Sequence, residues 1–260
     1  MSNEIMKIIE KKDGITTIQL TFPDFLNDMK NKNLLDTKLL ENLKSEVNCQ
    51  EIIFNKFKNI DGKNKWGIIC SAMDWINVGI YGVYHYDKTI RDVTGNDHSI
   101  QLLSFVMHID NIFDSVKQLY RVFFNIKKKV FIAKNEVFLG NQFHDSDDEY
   151  FKMIRACCSA HQSNLCDNFT SNEKEKRYAA WSNEGNLFCA GDRQHIGNVK
   201  GKKADSQIQL YCNDPTKQQV ILNIYFDELI TFVQKVYQHL IPLTEEVVRQ
   251  HENKYKGVIS

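Results

Sequence analysis

Leu102, Phe105, Val106, Ile109, Ile112, Phe113, Val116, Leu119, Tyr120 and Phe123 recur at helical spacing over several turns. One face of a long helix is therefore continuously apolar, and such a face must be covered by other elements. Three further stretches carry facing stripes. Ile68, Ile69, Ala72, Met73, Trp75, Ile76, Val78, Val83 and Tyr84 give a wide buried face near 65–86. Leu229, Phe232, Val233, Val236, Leu240, Leu243 and Val247 form a clean stripe near 226–250, with Pro242 expected to kink it. A shorter helix is predicted at 146–162. With the long helix at 98–126, these four predict a mainly α bundle. Gly79 and Gly82 each disfavour a helix by about 1 kcal/mol relative to Ala, so their presence predicts close helix-helix approach.

The flanks and the insert read differently. Ile15–Phe22 alternates and is rich in β-branched residues, which predicts a strand ended by Pro23. Leu34, Leu35, Leu39, Leu40 and Leu43 then recur at helical spacing, and Asp61–Asn64 is a turn signal. Residues 1–62 are thus expected to form a small α/β appendage, and 63–258 the bundle. Within about 166–224, Gln207–Cys212 and Gln219–Ile224 flank Asn213–Lys217, which predicts a β-hairpin inserted before the last helix.

The 260 residues suffice for one sizeable core, and the formal net charge is zero. Nothing in the overall charge advertises nucleic acid or membrane, so any RNA-binding surface must be a local patch. No run approaches the roughly 20 apolar residues that cross a bilayer, and no signal peptide is read. Seven cysteines, two of them adjacent, give no disulfide framework. Reduced thiols in a cytoplasm are expected. Abundant Lys, Asn and Ile with three prolines suggest an AT-rich, bacterial genome.

The stretch Ser146–His161 concentrates the chemistry. Ser146 and Glu149 have capping-box spacing, and Asp147 and Asp148 suit the positive end of the helix dipole. Arg155 can grip phosphate with its planar fork, and His161 titrates near neutrality. Together they can cleave RNA without a metal. The imidazole takes the ribose 2′-hydroxyl proton, and the guanidinium stabilises charge on the phosphorane-like transition state. On a continuous helix the two lie about 120° apart, so convergence requires the helix to end near Ala160 or a second subunit to complete the site. Arg91 and His98 give a second match, with six residues between them across the turn at Gly95, and context marks it as accidental.

An arginine, a gap of a few residues and a histidine at the end of the third helix of a four-helix bundle resemble the HEPN superfamily. Here the motif reads Arg155-Ala-Cys-Cys-Ser-Ala-His161. The resemblance spans the four helices and implies a homodimer whose paired motifs form one composite ribonuclease site. It implies Arg155 and His161 as the catalytic pair, RNA as substrate, and a role as toxin, abortive-infection or phage-defence factor, with an antitoxin or defence-system protein as partner. Ala156 stands where the family often has a polar residue. That departure and the neutral charge open a second reading, an inactive HEPN-like module that binds RNA or a partner protein.

The remaining candidates are weaker. His108, Asp110 and Asp114 on the long helix can support Arg155 or form a solvated face. Arg121 and Lys127-Lys128-Lys129 can contact phosphates or simply complement a helix end. Tyr178, Trp181 and Phe188 can stack on bases or anchor the insert. Cys157, Cys158, His161 and Cys166 lack zinc-ligand spacing and read as core. No phosphate loop, GxSxG, HExxH or dinucleotide fingerprint is present. Neither metal nor cofactor is expected.

Overall fold

The computed structural model describes residues 6–12, 15–20, 34–49, 51–89, 95–158, 177–181, 193–214, 216 and 218–256. It is mainly helical with a small four-stranded sheet. Two compact units divide at Asp36/Thr37. In the first, β1 (Met6–Lys12) and β2 (Ile15–Leu20) form an antiparallel ribbon with a register shift between Ile8 and Glu10. The strand expected at Ile15–Phe22 is thus β2, described as far as Leu20.

The second unit contains α1 (Thr37–Asn48), α2 (Glu51–Phe57), α3 (Lys65–Thr89), α4 (Gly95–Phe123), α5 (Asp147–Cys158), α6 (Phe226–Gln238) and α7 (Leu240–Lys256). The expected boundary lies near residue 62, whereas the compact units divide at Asp36/Thr37. Leu43 and Ile53 are fully buried, and the Phe57 ring meets Phe123 of α4 edge-on at 5.3 Å. α1 and α2 are therefore part of the helical unit, packed on α3 and α7.

α4 is the axis. It packs on α3, α5, α6 and α7, and Ile109, Ile112, Phe113, Val116 and Leu119 are all fully buried. Phe113 meets Phe151 of α5 and Phe232 of α6 at 5.6 and 5.5 Å, and Phe151 stacks on Phe232 at 4.5 Å. This aromatic triangle joins three helices beyond what area burial alone provides. The α3–α4 contact is close, as the glycines predict. A Cβ on Gly79 would stand 2.9 Å from the His108 carbonyl oxygen and against the Ile112 side chain, and one on Gly82 would overlap the His108 ring.

Two helix ends differ from expectation. α4 stops at Phe123, not 126, and Asn125 follows with a left-handed φ of 56°. The stripe near 226–250 is not one kinked helix. The break falls at His239, and Pro242 sits in the first turn of α7. Proline is tolerated there because its missing N–H would have no intrahelical partner.

The predicted hairpin is present, with β5 (Ser206–Cys212) antiparallel to β6 (Gln219–Ile224) and Ile208 opposite Leu222. It is the centre of a wider sheet, ordered β3-β5-β6-β4. β3 (Arg177–Trp181) runs antiparallel to β5, while β4 (Arg193–Ile196) runs parallel to β6. Ile208, Leu210, Val220 and Leu222 are buried, so the sheet carries its own apolar layer.

Candidate functional site

α5 is fixed at its start by three acceptors. Ser146 Oγ takes the Glu149 amide at 3.2 Å, the capping contact expected from spacing. Asp147 does more than complement the dipole. It is fully buried and accepts from the amides of Asn135, Val137 and Phe138 and from Asn141 Nδ2, at 2.7–3.1 Å. Asp148 accepts the Phe131 and Ile132 amides at 2.9 and 3.1 Å. Burial pushes the Asp148 carboxyl above its ordinary range despite those donors. The segment joining α4 to α5 is thus organised by two carboxylates at a helix N-terminus. Sequence spacing alone assigned them to capping and missed that task.

Asp148, Phe151 and Arg155 are spaced i, i+3, i+7 and share one face of α5. On α4, Lys117, Phe113 and Asp110 answer them in reverse order. Phe113 packs on Phe151, and Arg155 Nη1 donates to both Asp110 oxygens at 3.0 and 3.1 Å. Asp114 Oδ2 stands 3.6 Å from the same nitrogen. The Arg155 side chain is 35% exposed, Asp110 10% and Asp114 55%. Burial, then the neighbouring Asp114 charge, raise the Asp110 carboxyl above its usual range, outweighing Arg155. The guanidinium is therefore aimed by α4 and still reaches solvent.

Asp110 and Asp114 also line a groove of about 540 Å³ between α3 and α4, with Asn64, Ser71, Trp75 and Gln118 among its walls. Its lining contains no Lys or Arg. Amide, hydroxyl and carboxylate groups beside an indole can hold a polar, partly aromatic ligand.

The structure thus brings Asp110 and Asp114 to Arg155. His161 lies outside the described residues, as do Arg91, Cys166 and Phe188. His108 faces α3, stacking on Tyr86 at 5.6 Å and filling the space at Gly82. Its imidazole is pushed below its ordinary range by burial, then by His85. Among the described contacts it has none with Arg155. Arg121 is exposed and donates to Gln118 Oε1 at 3.1 Å. Lys127 and Lys128 are exposed beyond the end of α4, while Lys129 lies over the Tyr120 ring. Tyr178 and Trp181 lie in β3, with Tyr178 exposed. His98 stacks on Phe226. Cys157 and Cys158 are buried, and burial raises both thiols, Cys157 to about 12. They are inert core thiols.

Comparison with family models, with curated proteins and with solved structures gives no match. No helix among the described residues is long and apolar enough to cross a membrane. What stands is a mainly helical protein with a small mixed sheet, carrying an arginine held by two aspartates beside an open groove.

Proposed function

We propose that this chain is a metal-independent endoribonuclease of HEPN type, acting in the cytoplasm within a bacterial defence or toxin system. RNA is cut at a composite site in a symmetric homodimer. The observation that carries this reading is the clamp of Arg155 by Asp110 and Asp114, which pre-orients a partly exposed side chain on α5. His161 acts as general acid and base. It takes the proton of the 2′-hydroxyl, the oxygen attacks phosphorus, and the departing 5′-oxygen is protonated. Arg155 stabilises the extra negative charge of the transition state, turning from the aspartates to the phosphate as charge develops. The products are a 2′,3′-cyclic phosphate and a 5′-hydroxyl. A toxin of this kind is held in check by an antitoxin or other defence-system protein.

The test is incubation of the purified protein with mixed RNA in EDTA, followed by mass spectrometry of the new ends. Cyclic phosphate ends are expected, with a 10²–10⁴-fold lower rate for Arg155→Ala and for His161→Ala. Cleavage that both variants retain sinks the assignment.

One observation favours a second reading. Two carboxylates meet a single guanidinium, and the adjacent groove offers phosphate no cation. An inactive HEPN-like module that binds RNA or a partner protein is that reading; the charge at this face suits a partner protein, with any RNA contact on another face, and either ligand retained without cleavage would support it.

A further inference from the structure

Far in sequence from the Arg155 site, three ligand-type side chains meet where α1 ends against α7. Glu46 lies in the last turn of α1, Cys49 just beyond it, and His251 on α7. A carboxylate oxygen of Glu46, Sγ of Cys49 and a ring nitrogen of His251 all lie within 4.8 Å of one another. Cys49 Sγ is 3.7 Å from His251 Nε2. With Zn–S about 2.3 Å and Zn–N about 2.0–2.1 Å, the sulfur–nitrogen edge of a tetrahedron is about 3.5–3.6 Å. The pair already stands at nearly that separation.

The histidine is partnered at one ring nitrogen only. It is buried, 7% exposed, and its Nδ1 has no hydrogen-bond partner. Nε2 lies 2.9 Å from the Glu46 carbonyl oxygen, a contact that by itself makes His251 a cap for an unsatisfied carbonyl at the end of α1. In the metal-free protein that contact holds the ring proton on Nε2; a cation taking the Nε2 lone pair replaces the hydrogen bond to the Glu46 carbonyl and moves the proton to Nδ1.

We propose that Glu46, Cys49 and His251 form a binding site for a divalent, thiophilic cation of the zinc class, joining the end of α1 to α7. The mixed N, S, O donor set selects zinc over magnesium or calcium, which prefer oxygen alone. Cys49 is exposed, so water completes the tetrahedron from that side. Binding releases the Cys49 thiol proton to solvent. The cation ties together two segments that hydrophobic contacts already hold adjacent, so its effect is on stability and not on whether the chain folds.

Cobalt(II) titration of the metal-free full-length protein tests the site. One equivalent should give tetrahedral visible bands and a thiolate-to-cobalt charge-transfer band in the near ultraviolet, both erased by zinc. Cys49→Ser should lose those bands and at least about a hundredfold in zinc affinity, beyond the 10–100-fold typical of removing an outer-sphere partner. Zinc at a hundredfold over its Kd should raise the Tm of the unmodified protein by about 5–10 °C and leave Cys49→Ser unmoved. Featureless cobalt spectra, or bands that persist in Cys49→Ser because another thiol supplies them, overturn the proposal. If Cys49→Ser melts abnormally in EDTA, Glu46→Gln replaces it: the thiolate-to-cobalt band should persist while zinc affinity falls at least about tenfold, and an unchanged affinity overturns the proposal.

Discussion

At the scale of single residues, the packing of α3 on α4 hangs on two missing side chains. Gly79→Ala would push a methyl group into a backbone carbonyl, which cannot rotate away. We expect it to lower stability by about 1–3 kcal/mol in urea unfolding, the penalty of overpacking. Glu228 makes a pH-dependent contribution of known sign. Burial raises its carboxyl from 4.5 to about 7, against the Leu139 amide that donates to it. The folded state therefore binds the proton more tightly than the unfolded chain, so this group's contribution falls as pH rises from 4.5 to 7. Glu228→Gln keeps an oxygen for the Leu139 amide and removes the titration. Its stability measured against pH should lose that slope, and at pH 8 the variant should exceed the parent protein.

Among the elements, what could be read from the chain depended on whether the cause was local. The stripe from Leu102 to Phe123 is periodic, so α4 was legible within three residues at each end. The capping of α5 by Ser146 was legible because donor and acceptor lie three residues apart. The strands β3 and β4 were not: Arg177–Trp181 and Arg193–Ile196 are short, and their place is set by β5 and β6. The junction at His239 was assigned to Pro242, because proline is the obvious breaker and its comfort in a first turn shows only once the preceding break is known. Asp110 and Asp114 were named with Arg155 from sequence, though the separation of 45 positions between Asp110 and Arg155 hid the hydrogen bonds. Cys49 and His251 lie 202 residues apart, and no spacing rule reaches that far. The two buried aspartates of α5 yield a test at this scale. Asp147→Ala would strand buried donors on the Val137 and Phe138 amides. A loss above about 3 kcal/mol is expected from several unpaired donors, with hydrogen exchange at those two amides accelerating well before global unfolding.

For the molecule as a whole, the boundary at Asp36/Thr37 makes a clear contrast between two truncations. Removing residues 1–36 should leave a cooperative melt, because α1 and α2 remain on the helical unit. Removing residues 1–62 strips Leu43, Ile53 and Phe57 from their burial sites and exposes the apolar surface of α3 and α7 beneath. Large core truncations of this kind each forfeit about 2–5 kcal/mol. The shorter chain should lose its sharp transition in calorimetry, and equal behaviour of the two truncations would contradict the division. The sheet between α5 and α6 stands apart from this contrast, since it is reached by neither cut.

The neighbourhood of α1 and α7 has a consequence during synthesis. The contact between Glu46 and His251 closes a loop of 205 residues. A ribosome adding about 5–20 residues each second keeps α1 waiting roughly 10–40 s for its cover. Throughout that interval Leu43 and Val47 are available to chaperones and proteases. Polypeptides released early, lacking the final helix, should be the form of this protein that a cell clears fastest.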